Sequence, residues 1–290
     1  MLFPSPSKQD IVDSNLREVS EYTIPLSNSI SLRTSSDTRP HKWKIADLQK
    51  GLRFVHDGRE TVGEGTGFGV PVLLYSGETC FSGSSYVYAF NKGSSTIIRK
   101  EFIVDRVHRK TIRSVRLESR KMRALWRLIS KLYMRFGFLR TLMSTDISKK
   151  LGLRTDFIGT HPLGKVIVTY QVSKSKVNVK VDLALLERRE LRKIFVLNEQ
   201  GSTFFRKYSD SQGLTLVDEE IGSWRIPKAR CASITDLRGG VGFRLWRNKN
   251  SALYLGREYS EGHMDWVGLD YEISPRSDNF EYQIEILGVD

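Results

Sequence analysis

Three stretches of strict alternation constrain this chain more than any other feature. In "VNVKVDL", Val177, Val179, Val181 and Leu183 alternate with Asn178, Lys180 and Asp182. In "FEYQIEI", Phe280, Tyr282, Ile284 and Ile286 alternate with Glu281, Gln283 and Glu285, and "WVGLDYEIS" sets Val267, Leu269, Tyr271 and Ile273 against Trp266, Gly268, Asp270 and Glu272. A period of two sends successive side chains to opposite faces of a strand, so each stretch offers one face to a core and one to water. That is the habit of antiparallel sheets; parallel strands, covered on both faces, read as unbroken apolar runs. Shorter stretches of the same kind ("VPVLLYS", "SYVYAFN", "STIIRKEFIV") and turn clusters at 198–201, 211–213, 238–240 and 248–250 give the spacing of a large sandwich.

The alternation breaks once. From 117 to 143 the apolar residues Met122, Leu125, Trp126, Ile129, Leu132, Tyr133, Phe136, Leu139 and Met143 follow helical spacing, while Arg123, Arg127, Lys131 and Arg135 recur every fourth residue on another face. Ser144 or Asp146 would cap a short second helix that stops near Gly152. The expected fold is therefore mainly β: a large antiparallel β-sandwich with a basic amphipathic helical insertion at about 117–152. Residues 1–40 are expected to be loosely ordered with edge strands, and 41–290 to form one sandwich domain.

Charge is concentrated in the same place. The formal net charge is +13, and the stretch 99–154, with 17 Lys and Arg against 4 Asp and Glu, carries all of it. An anionic partner would thus have to meet that segment, with Arg123, Arg127, Lys131 and Arg135 on lipid headgroups or on nucleic-acid phosphate. No apolar run approaches the roughly 18 residues of a transmembrane helix, and the opening "MLFPSPSKQD" does not read as a secretory signal, which makes the cytoplasm the expected location. Cys80 and Cys231 are read as ordinary thiols, with a bridge between them left open.

"GEGTGFGVPVLLYSGE" places glycine at 63, 65, 67 and 69. No lysine completes a phosphate-binding loop, and Phe68 stands where a dinucleotide fingerprint needs its third glycine, so no nucleotide cofactor is expected. Alternate glycines in an extended segment let a neighbour pack directly upon it. The functional alternative projects Glu64, Thr66 and Phe68 from the other face into an open site, with Glu64 as acid, base or acceptor.

In "GREYSEGHMDW", Glu261, His263 and Asp265 would point one way if extended, with Glu258 nearby. Such a group suits an acid/base pair or a divalent ion, but a solvated loop with accidental clustering is the preferred reading; no metal site is assigned. Trp224, Trp246, Trp266, Tyr254 and Tyr259 crowd the last quarter among Arg244, Arg247, Arg257, Glu258 and Asp270. A sugar ring needs an aromatic platform for its C–H face and planar polar groups for its hydroxyls. Trp246 and Trp266 fall opposite the aliphatic face, which favours exposure.

The stretches "GFGVPVLLYSGETCFSGSS", "VLNEQGSTFFRKYSD" and "ALYLGREYSEGHMDWVGLDYEI" resemble the galactose mutarotase-like supersandwich group in architecture, from Trp43 to the C-terminus. The resemblance implies a large antiparallel sandwich whose concave face handles carbohydrate, with Glu258 and His263 nearest to that group's catalytic Glu and His. The reading is a carbohydrate-binding or carbohydrate-processing protein, either epimerase-like or inactive. Glu64, Glu258 and His263 are its acid/base candidates, and Arg244, Trp246, Tyr254, Arg257 and Trp266 its substrate contacts. The rival is a non-enzymatic protein whose basic segment binds an anionic membrane or nucleic acid.

Overall fold

A computed structural model describes residues 17–38, 42–43, 50–61, 66–76, 78–113, 153–260 and 264–289. The early strands are β1 (Arg17–Val19), β2 (Glu21–Pro25), β3 (Ile30–Ser35), β4 (Asp37–Thr38), β5 (Lys42–Trp43), β6 (Arg53–His56) and β7 (Arg59–Glu60). The long central ones are β8 (Gly67–Tyr75), β9 (Glu78–Lys92), β10 (Ser95–Arg113), β11 (Leu153–Ser173), β12 (Lys176–Asp182) and β13 (Leu191–Gly201). The last are β14 (Lys207–Asp210), β15 (Thr215–Val217), β16 (Cys231–Thr235), β17 (Gly242–Trp246), β18 (Ser251–Ser260), β19 (Met264–Ile273) and β20 (Asn279–Leu287).

Every pairing among them is antiparallel. One sheet runs β15-β14-β16-β17-β20-β12-β11-β10-β9-β8-β13-β19-β18, and β2-β3-β6-β7 form a separate four-stranded sheet. The large sheet folds over at the junction of β9 and β8, where only Glu78–Cys80 pairs with Leu73–Tyr75. Its two halves then pack face to face. The inward rows are those the alternation marks: Val177, Val179 and Val181 with Ile284 and Ile286 from one layer, Val267, Leu269 and Tyr271 from the other, all at most 2% exposed. Aromatic edges knit the layers: Tyr271 of β19 meets Phe280 of β20 at 5.1 Å between centroids, and Phe68 of β8 meets Phe243 of β17 at 5.0 Å. The small sheet closes one end, where Phe54 of β6 packs edge-on against Phe205.

The expected helical insertion is corrected. Among the described residues there is no α-helix, only a 3-10 turn at Asp218–Ile221. The basic segment enters and leaves on paired strands instead: β10 and β11 stay in register from Thr96↔Val172 to Arg113↔Leu153, shifting twice on the way. A strand ladder propagates as long as each backbone group finds a partner across it, a condition that side-chain periodicity does not report. Residues 114–152, including Arg123, Arg127, Lys131 and Arg135, lie outside the described residues. No helix among the described residues is long and apolar enough to cross a membrane, and Cys80 and Cys231 are not joined by a disulfide.

The glycine stretch resolves as close packing in its described half. Thr66 and Phe68 do not face an open site; both are buried. Gly67 and Gly69 have φ of 77° and 78°, a left-handed backbone that interrupts the pleat. The ladder slips there, between Leu197↔Val70 and Asn198↔Phe68, and a Cβ on Gly69 would stand 2.6 Å from the Tyr170 hydroxyl oxygen. That hydroxyl donates to the Phe68 carbonyl at 2.7 Å, so the bulge brings a backbone carbonyl of one layer to a side chain of the other.

Candidate functional site

The residues singled out in the sequence separate into two groups on opposite outer faces of the sandwich. Arg244 and Trp246 alternate with the buried Phe243 and Leu245 of β17, so they stand on the outside of the β17–β20 layer. Tyr254 and Glu258 of β18, with Trp266 of β19, stand on the outside of the other layer; Trp266 and Glu258 are direct register partners. Arg257 points the opposite way from Glu258, into ion pairs with Asp218 at 3.6 Å and Glu219 at 3.5 Å. Glu64 and His263 lie outside the described residues, and among those described no cluster suits a metal ion.

The first group borders a groove. The β17–β20 ladder ends at Leu245↔Ile284, and beyond it the chain peels away from β20 into the turn at 247–250. The space left between the two segments is about 570 Å³, lined by Trp246, Arg247, Asn248, Lys249, Tyr282 and Gln283. Its frame is fixed by hydrogen bonds. Asn248 Nδ2 donates to the Glu281 carbonyl at 3.0 Å and spans the gap, Arg247 N donates to Arg230 O at 2.7 Å, and the Tyr271 hydroxyl donates to Trp246 O at 2.6 Å. The Trp246 side chain therefore projects from an anchored backbone, and the residue is 38% exposed. Beside it Arg244 is held by Glu285 at 2.9 Å, and Gln283 Nε2 donates to Asn178 Oδ1 at 2.8 Å, with no hydrogen bond to its own amide oxygen among the described residues.

The second group surrounds a row that alternation alone would place in water. Register aligns Gly67 of β8, Glu199 of β13, Gly268 of β19 and Gly256 of β18 across four strands. The missing side chains make room for their neighbours. A Cβ on Gly268 would lie 2.8 Å from Glu199 Cγ, and one on Gly256 would enter the Trp224 ring. Glu199 and Asp270 are consequently 5% and 4% exposed, and their carboxyls stand close enough to act on each other. Thr66 Oγ1 donates to Glu199 Oε2 at 2.7 Å, and Asn198 N donates to Asp270 Oδ1 at 2.7 Å in place of a ladder bond to β19.

Loss of water raises both carboxyls. Glu199 is pushed up to about 7 by desolvation, opposed by its Thr66 bond and reinforced by the charge of Glu258. Asp270 is driven well above the usual range by desolvation and by Glu199 beside it. The pair thus keeps a proton to higher pH than two exposed carboxyls would. Glu258 remains exposed at the edge of this row and accepts the Trp224 indole N–H at 2.7 Å. The Trp266 indole N–H is shielded from solvent without a hydrogen-bond partner among the described residues. Tyr254 donates to Glu272 at 2.8 Å, which raises its phenol above the ordinary value.

Glu199 and its neighbours, read from the sequence as a turn at 198–201, are the end of strand β13. Their signal was present in "LNEQG", where three polar residues interrupt an apolar strand. All three are buried: Asn198 Oδ1 accepts from Gly69 N at 3.2 Å and from the Tyr282 hydroxyl at 2.7 Å, and Gln200 Oε1 accepts from Phe54 N at 3.2 Å. Asn198 therefore ties β8, β13 and β20 together across the core.

No family model matches this chain, and no curated protein matches it. Among solved structures, it is similar to the alpha-N-acetylgalactosaminidase NagBb from Bifidobacterium bifidum in its GalNAc complex, with a TM-score of 0.48 and 10% sequence identity. That match covers 93% of this chain and 36% of the other, so the chain spans about a third of the length of the enzyme it matches. A likeness of this degree assigns no residue a role, and none of the comparisons connects the chain to the mutarotase-like group.

Proposed function

We propose that the chain is a carbohydrate-binding β-sandwich and that the saccharide docks in the groove where β17 leaves β20. The observation that supports this is Trp246: a large ring, 38% exposed, on a backbone fixed from two sides, bordering a groove of about 570 Å³. A groove of that volume lies within the range of about 300–1,000 Å³ of small-ligand sites. The C–H face of a pyranose would pack on the indole, and its hydroxyls would meet the Gln283 carbonyl and the Arg247 and Lys249 donors.

Binding rather than turnover is supported by where Glu258 stands. Glu258 is the one of the three acid/base candidates among the described residues, and it belongs to the other layer; the buried Glu199–Asp270 pair is also there. Among the described residues the groove lining holds no carboxylate. Calorimetric titration against a glycan panel tests the reading. Trp246→Ala should weaken binding of the best glycan by about tenfold or more, while Glu258→Ala should leave it unchanged. Equal affinity for the wild type and the Trp246 variant would refute the placement.

A further inference from the structure

Resting on that reading, the charge around the groove narrows the class of saccharide. Carboxylates close to it are already engaged: Glu285 with Arg244 at 2.9 Å and Glu281 with Lys180 at 3.8 Å. Arg247 and Lys249, which line it, are both exposed and have no carboxylate partner among the described residues. The site therefore presents one aromatic platform, two unopposed cations and the amides of Asn248 and Gln283. A neutral sugar could take hydrogen bonds from both cations but would leave their charge uncompensated.

We infer that the groove binds an acidic saccharide, one carrying a carboxylate or sulfate on or next to the ring that packs on Trp246. A guanidinium and an ammonium two residues apart on one turn can hold such an anion by charge-assisted hydrogen bonds, the guanidinium through a two-pronged contact. Single-stranded nucleic acid would use the same charges, but it gains affinity by stacking successive bases on several rings. Among the described residues this groove offers one exposed indole, since the Tyr282 hydroxyl is turned inward to Asn198 and the residue is 8% exposed.

The test uses the full chain and matched pairs of ligands. Oligomers of galacturonate, mannuronate and glucuronate are each titrated beside their carboxyl-reduced counterparts, which keep the sugar configuration and lose the charge; a sulfated oligosaccharide and its desulfated form make a fourth pair. An oligothymidylate is the nucleic-acid arm. The expected result is at least one acidic member binding about tenfold more tightly than its neutral counterpart, a preference that the Arg247→Ala/Lys249→Ala double variant abolishes and that weakens as salt rises. Acidic and neutral members bound equally, with binding still lost in Trp246→Ala, would overturn this inference and leave the carbohydrate reading standing. If no member of any pair binds, or Trp246→Ala binds as the wild type does, both fail. Oligothymidylate bound more tightly than every saccharide would also overturn both.

Discussion

The two outer faces of the sandwich obey the same alternation and come to opposite ends. On β17, Arg244 and Trp246 point away from the core and reach solvent. On β13 and β19, Glu199 and Asp270 also point away from the core, yet both are sealed. The difference lies in the neighbours. Trp246 stands where the β17–β20 ladder has ended, whereas Glu199 is flanked by Gly67 and Gly268, with Trp224 laid over Gly256 beyond. A polar residue at an outward position is thus free at the end of a ladder and enclosed at the centre of one. The first kind of place suits ligand binding; the second suits tying strands together.

Substitutions should separate the two faces cleanly, and the largest effect belongs to the enclosed one. Asn198→Ala removes a side chain that satisfies Gly69 N, the Tyr282 hydroxyl and two carbonyls of β13 and β19, all in the interior. Stranding those groups should cost roughly 4 kcal/mol of stability, read from urea unfolding. A loss below about 1 kcal/mol would mean that the network is not what joins β8, β13 and β20.

Next comes pH. Burial raises Glu199 from its ordinary 4.5 to about 7, so the folded chain holds a proton that the unfolded chain releases. That contribution is fully present below about 4.5 and is lost as pH rises through about 7. Stability measured from pH 5 to pH 8 should fall by about 2 to 3 kcal/mol through Glu199, and Glu199→Gln, which keeps a hydrogen-bonding group without that titration, should reduce the fall. A wild-type profile already flat over that window would rule out the raised Glu199 carboxyl.

Smaller effects sharpen the contrast. Gly256→Ala must push the Trp224 ring from its place over β18 and should cost about 1 to 2 kcal/mol, with a red shift of tryptophan emission as the ring meets water. Trp246→Ala should change stability by no more than about 0.5 kcal/mol, because its ring is not part of the interlayer packing. If that variant unfolds as readily as Asn198→Ala, the ring is structural and the groove loses its claim.

Much of the fold was legible in the chain itself. The inward rows of β12, β19 and β20 are the aliphatic rows read from "VNVKVDL", "WVGLDYEIS" and "FEYQIEI", because a two-residue period has one geometrical meaning once a sheet forms. The outward place of Trp246 followed from the same rule. The role of Glu199 did not, since its burial depends on which glycines stand opposite, and register between distant strands leaves no mark on either strand alone.

Alternation thus determined by itself that this protein would be an antiparallel sandwich, and which residues would build its core: side-chain direction along a strand is a local property of the backbone. Only the tertiary structure decided that β10 continues as a strand to Arg113, that Arg257 turns to Asp218 and Glu219, that the aromatic residues of the last quarter divide between two faces, and that Trp246 stands beside a groove. Those outcomes depend on where each ladder begins and ends, which is set by partners far apart in the chain.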